Sequence, residues 1–228
     1  MAARIREKLP LKYCHLANSA ASLDYEIPSN NMCRPGLVLY GFSPIDSPWA
    51  SQLRPAMALF SRLTVVRTLP EGHGISYGGT YVTDHPTRVA TVGIGYADGY
   101  LRSLAHKGAR VMVDGVSCPL LGRVTMDQII VDVSRAPHAE PGMTAEIMGP
   151  NIPVTELAEK AGTISWEIFT GIGPRVPAIT IIRLSTGEEA RHSAWNLHSL
   201  LTGIRKYRLF NRYDEGFHQR TLRIAPDD

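Results

Sequence analysis

The stretch LTVVRTLPEGHGISYGGTYVTDHPTRVATVGIGYADGY, residues 63–100, decides the fold. Its two apolar runs, LTVVRTL (63–69) and RVATVGIGY (88–96), are short and rich in β-branched side chains, and glycines and prolines separate them. That is strand chemistry: branched side chains suit a pleated surface, while Gly and Pro mark where pairing stops. The same texture continues outward through ARVMVDG (109–115), QIIVDV (128–133) and TAEIMG (144–149), and VPAITIIRL (176–184) reads as a final strand. Runs of this length at close spacing predict an antiparallel barrel or sandwich, a mainly β domain over residues 57–182. One helix is expected to interrupt it at residues 154–161, with Thr155 as N-cap and Glu156 in the first turn.

The flanks differ. Residues 1–43 read as a fragment of a helix-and-strand repeat. A charged helical end at residues 4–8 leads to a strand-like run at 13–16, a polar turn at Asn18 and Ser19, and a second strand-to-helix junction in CRPGLVLYGF (33–42). Residues 44–56 hold Pro44, Pro48 and Pro55 and read as a linker. Residues 183–228 form an extension of unassigned role. Within it SAWNLHSLLTGIRKYRL (193–209) is expected to be an amphipathic helix with Trp195, Leu197, Leu200 and Leu201 on one side. The basic and aromatic residues that follow are interspersed with acids, which is the pattern of a solvated surface.

Composition narrows the function classes. The chain has 228 residues, 44% hydrophobic and 20% charged, which excludes disorder, collagen and coiled coil. A net charge of +3 is too small for a dedicated nucleic-acid binder. No run approaches the roughly 18 apolar residues of a membrane span. MAARIREKLP has charges but no apolar segment of the secretory kind, so the expected location is the cytoplasm. Cys14, Cys33 and Cys118 are widely spaced with no CxxC pair, so neither a disulfide framework nor a zinc site is expected.

Several motifs carry possible chemistry. Tyr77 lies among Gly72, Gly74, Gly78 and Gly79, and a phenol on such a loop can point into a cleft and act as general acid or base. His15 precedes Asn18 and Ser19, a pattern that can surround an anion with a hydroxyl and N–H groups. Arg34 stands beside Gly36, and GYADGY and GRVTMDQ add Tyr96, Asp98, Arg102, Arg123, Met126 and Asp127. Taken singly, each also fits a bland role: a Gly-rich hairpin, a Ser/Asn turn, a core histidine.

Together, in order and spacing, HLANSAA (15–21), RPGLVLYG (34–41), ISYGGTY (75–81), GYADGY (95–100), GRVTMDQ (122–128) and RVP (175–177) resemble the C-terminal part of alanine racemase, a pyridoxal-phosphate enzyme. The resemblance covers roughly residues 10–182. It implies that residues 1–43 are the end of a cofactor-binding (β/α)8 barrel, followed by the family's C-terminal β domain. It also implies a homodimer in which each β domain covers the other chain's barrel mouth. Two bases on opposite faces of the substrate α-carbon interconvert L- and D-alanine; one is the lysine that carries the cofactor, the other a tyrosine matched here by Tyr77.

Residue by residue, the resemblance implies that Arg34 hydrogen-bonds the cofactor's pyridine nitrogen and that His15 links this arginine to the tyrosine. Ser19 and the N–H groups of Gly36 and Leu37 correspond to part of the phosphate cup. Met126 meets the substrate carboxylate through its backbone. Tyr96 gates the substrate approach, with Arg102, Arg123 and Asp127 lining or supporting it. No metal is implied.

Two departures stand out. The family's cofactor lysine lies in a segment similar to VVKANAYGHG, and none of Lys8, Lys12, Lys107, Lys160 and Lys206 has that context. Pro174 stands where some members have a tyrosine next to the phosphate. The expectation is therefore a truncated racemase chain with one of the two bases, inactive alone. The alternative is a non-catalytic β module that dimerises or lends Tyr77 to a partner's site.

Overall fold

The computed structural model describes residues 4–5, 8–9 and 11–183, and beyond them the strand segments 189–193, 208–209 and 221–224. The chain divides into two units, Met1–Ala56 and Met57–Asp228.

In the first unit, strand β1 (Ala17–Asn18) runs parallel to β2 (Cys33–Arg34), with helix α1 (Ser19–Asp24) between them in sequence. The expected strand at residues 13–16 is displaced to β1. The reason is a competing pairing: the N–H groups of Cys14 and Leu16 donate to the side-chain oxygens of Asn31 and Asn30, both at 2.7 Å, rather than to a neighbouring strand. The expected turn at Asn18 and Ser19 starts a helix instead. Asn18 is its N-cap, and Oδ1 accepts the Ala21 N–H at 3.1 Å. The proline-bearing segment carries a 3-10 turn, Pro48–Gln52, capped by Ser47, whose Oγ donates to Asp24 Oδ1 at 2.6 Å.

In the second unit the chain makes β3 (Ala58–Leu69), a short hairpin of β4 (Gly74–Ile75) and β5 (Tyr81–Val82), then β6 (Thr87–Val92), β7 (Arg110–Val113), β8 (Val116–Leu121), β9 (Ile129–Asp132) and β10 (Thr144–Met148). Pairing runs β3–β6–β9–β8–β7–β10 and returns to β3 through Thr144↔Arg62 and Ala145↔Ser61, all antiparallel. Of the barrel and sandwich expected from sequence, this is the barrel. β3 makes closure possible because it is long enough to pair with β10 through its first half and β6 through its second, and a register shift between Leu63 and Val65 lets it bend. The β7–β8 turn is Asp114-Gly115, both at positive φ, as the right-handed twist of a two-residue hairpin requires.

Alternate residues point inward. Leu63, Val92, Val111, Ile129 and Ile147 are at most 1% exposed, each worth about 1.5–3 kcal/mol of burial. Helix α2 (Val154–Ala161) buries Val154, Leu157 and Ala158, and Glu156 forms a two-point pair with Arg110 on β7 at 2.9 and 2.8 Å. Its N-cap is Pro153, not Thr155, which lies inside the first turn; the extended Pro153 backbone starts the helix without a side-chain cap. A second helix, α3 (Ser165–Gly171), was not expected; it buries Ser165, Ile168 and Phe169.

β11 (Ala178–Arg183) pairs with β12 (Glu189–Ser193), β13 (Arg208–Leu209) and β14 (Thr221–Ile224), and β14 joins β3 at Leu222↔Leu59. β11 is thus not the last strand. The amphipathic helix expected at 193–209 lies outside the described residues, except that Ser193 and Arg208–Leu209 are in strands.

Candidate functional site

The hairpin between β3 and β6 carries Tyr77. Ile75 anchors it, 1% exposed, in an apolar cluster with Leu69, Val89 and Leu121. The chain then turns sharply at Ser76, whose φ of 63° and ψ of −174° lie in a region almost reserved for glycine, at a cost of about 1–3 kcal/mol. Ser76 Oγ donates to the Arg123 carbonyl at 2.8 Å, and Thr80 Oγ1 lies 3.1 Å from His106 Nε2. Held on both sides, the 3-10 turn Tyr77–Gly79 presents Tyr77 to solvent at 72% exposure.

GYADGY and GRVTMDQ meet the hairpin at one end of the barrel. β6 ends at Val92 opposite Ile129, where β9 begins, so the segments 93–99 and 122–128 are neighbours. They are laced together: the Tyr96 N–H donates to the Thr125 carbonyl and the Ala97 N–H to the Met126 carbonyl, both at 3.0 Å. Gly95 permits this approach, because a Cβ there would lie 2.3 Å from both carbonyl oxygens. Buried Asp98 accepts the Gly95 N–H on Oδ2 at 2.9 Å.

Tyr96 and Met126 are exposed on this end, and the Arg102 guanidinium lies 5.8 Å from the Tyr96 ring centre, within cation–π range. Arg123 reaches toward Gly78, beside Tyr77. Tyr100 is different. It is buried, and burial beside the Glu156 charge pushes its phenol well above the usual range, so it keeps its proton.

Arg175 was not singled out as a site residue in the sequence, although RVP is among the motifs. Its Nη2 donates to Asp127 Oδ1 at 2.5 Å, and its Nε lies 3.8 Å from Asp98 Oδ1. One cation therefore meets a carboxylate from each laced segment. The sequence signal was present only as parts: an arginine between two prolines, and two aspartates far from it.

In the first unit, Ser19 and Gly36 are brought together. Buried Ser19 accepts the Gly36 N–H on Oγ at 2.8 Å, and Leu37 opens the 3-10 turn Leu37–Tyr40 directly after. Arg34 is exposed, and its Nε donates to the His15 backbone carbonyl at 3.1 Å. His15 thus meets Arg34 through its main chain, whereas the sequence expectation placed the imidazole there. Among the described residues no group of His, Cys, Asp and Glu is arranged to hold a metal ion, and no helix is long and apolar enough to cross a membrane.

The family model of the alanine racemase C-terminal domain matches residues 56–180, and that of the N-terminal domain matches residues 1–44. Alanine racemase of Stutzerimonas stutzeri is 42% identical over 174 residues, 75% of this chain and 48% of that protein. Alanine racemase of Desulfovibrio desulfuricans is 43% identical over 169 residues, 73% and 45% respectively. Among solved structures, alanine racemase of Bacillus anthracis with bound L-Ala-P superposes with a TM-score of 0.69 at 37% identity, covering 81% of this chain and 48% of that one. Alanine racemase of Clostridium difficile in complex with cycloserine gives a TM-score of 0.72 at 31% identity, covering 84% and 51%. The chain spans about half the length of the curated relatives it matches.

Proposed function

The chain belongs to the alanine racemase family, a family of isomerases, and from that premise we propose that it supplies the tyrosine-bearing part of a cytoplasmic, dimeric enzyme interconverting L- and D-alanine. One observation carries the reading. The motifs of Tyr77, Tyr96 and Met126, far apart in sequence, form a single surface at one barrel end, with Tyr77 held outward by the Ser76–Arg123 bond.

The residues of the first unit suit the family's cofactor. Ser19 uses a lone pair to accept from Gly36, which leaves its hydroxyl proton to donate to a phosphate oxygen. The Leu37 turn adds a backbone N–H of the same chemistry. Arg34 spends Nε on the His15 carbonyl and keeps its outer N–H groups for a pyridine nitrogen. A guanidinium has donors only and stays protonated, so it would hold that nitrogen unprotonated. Pyridoxal phosphate, when bound, supplies an electron sink for the charge left by loss of an α-proton.

Tyr77 does the proton work of this chain. Its phenol oxygen takes or returns the proton on one face of the α-carbon, and the carboxylate of a small amino acid docks on the main chain at Met126. The opposite face needs the lysine of a VVKANAYGHG-like segment, which is not among these 228 residues. Sharing of the site between subunits allows Tyr77 to act on a partner that has that lysine.

Mixing tests this directly. The chain is combined with a full-length alanine racemase whose tyrosine aligned with Tyr77 is replaced by Phe, and exchange of the alanine α-proton is followed in heavy water. Exchange should rise with the wild-type chain and not with Tyr77→Phe. If mixed dimers form but exchange stays at the baseline, the reading is wrong.

A further inference from the structure

We infer that Arg175 is the positioning residue that sets the spacing between Tyr96 and Met126, and so controls how a small amino acid is held rather than how its proton moves. The inference rests on the reading of the Tyr77–Tyr96–Met126 surface as the substrate-facing one.

The geometry makes the argument. Asp98 is fully buried, and a carboxylate taken from water needs compensation by charge and by hydrogen bonds. It accepts the Gly95 N–H, the residue before Tyr96, and faces Arg175 Nε. The adjacent Nη2 of the same guanidinium donates to Asp127, the residue after Met126. A guanidinium is a rigid planar fork, so a hydrogen bond to Asp127 and an ion pair with Asp98 tie the two carboxylates, and the main chain attached to each, through one group. The 172–177 segment that carries Arg175 is itself tied in, because the Gly173 N–H donates to the Asp98 carbonyl at 3.2 Å. Backbone lacing alone fixes Tyr96 to Thr125 and Ala97 to Met126. Arg175 adds the side-chain strut across them, and its half-exposed position places it at the rim of this end rather than in the core.

The test is Arg175→Ala in the full chain, read by amide NMR shifts. The amides of Tyr96, Asp98, Met126 and Asp127 should move, while those of Val111 and Val131 in the barrel stay. Arg175→Lys, which keeps a charge but not the fork, should restore them only in part. If the loop amides stay with the barrel amides, the inference fails. If Arg175→Ala loses the barrel, Asp127→Asn is read in the same way and by the same criterion.

In the mixing assay, the KM for alanine should rise about tenfold with Arg175→Ala while kcat stays within about twofold. A fall in kcat at unchanged KM would overturn the positioning role. The amide shifts require no turnover, so their failure removes the role of Arg175 and leaves the racemase reading standing. Failure of the mixing assay with the shifts as expected removes the racemase reading, and with it the role in holding a substrate, and leaves only the structural strut between the two segments.

Discussion

In the barrel formed by β3, β6, β9, β8, β7 and β10 each strand has a neighbour on both sides, and inward side chains such as Val111 and Ile129 are fully buried. In residues 11–56 the buried hydrophobics among the described residues are Ala17 and Leu37, whereas Tyr13, Leu16, Tyr25, Leu39 and Trp49 stand more than half exposed. Closure removes strand edges and encloses one core, so the barrel meets its own hydrogen-bonding and burial needs. A two-residue parallel pair does neither, since parallel strands are normally covered on both faces. The lesson is that identity and self-sufficiency differ: both regions match the same family, but only one carries its own core.

The largest effect should separate them. Ile129→Ala removes a fully buried side chain and should cost about 3 kcal/mol in urea unfolding, against under about 0.5 kcal/mol for Leu39→Ala. Equal costs would mean that residues 11–56 are packed like the barrel, and the contrast would collapse.

A smaller effect belongs to the barrel–helix junction. The Arg110 guanidinium, hydrogen-bonded to Glu156 and aided by Lys160, holds that carboxyl below its usual range. A depressed carboxylate stabilises the fold fully above the unfolded value of about 4.3, and the contribution is lost as pH falls through the lower folded value. Glu156→Gln should therefore cost about 1 kcal/mol near neutrality and flatten the acid limb of the stability curve. Identical acid limbs would show that the junction contributes nothing.

The smallest effect is chemical. Burial pushes the Cys118 thiol up to about 11, whereas Cys33 of the first unit is exposed. With iodoacetamide near pH ~8, peptide mass spectrometry should find Cys33 modified and Cys118 intact. The neutral thiol is favoured in the fold, so its contribution is intact below the unfolded value of about 8.5 and is lost as pH rises through about 11. Rapid labelling of Cys118 would show that the barrel opens as easily as residues 11–56.

Much of this was legible in residue order. Short β-branched runs set between glycines and prolines placed the strands, and the helix expected at residues 154–161 has the bounds observed. The cap of that helix was misread because a threonine inside a first turn looks like one at its start. α3 was missed because SWEIFTG is short, and its apolar Trp, Ile and Phe also suit a strand. The strand at 13–16 failed because two asparagines from a distant turn captured its N–H groups, a competition that no local pattern reveals.

The sequence by itself determined the family and the mainly β character, and it supplied the residues of the candidate site, because motif order, branched side chains and glycine placement are local properties. Tertiary structure alone decided that β10 closes on β3, that Tyr77 is held outward by a carbonyl of the 122–128 segment, and that Arg175 meets both Asp98 and Asp127. Those are pairings between distant positions, and strand register with barrel closure sets them, since a pleated strand brings a side chain to a given neighbour only in one alignment.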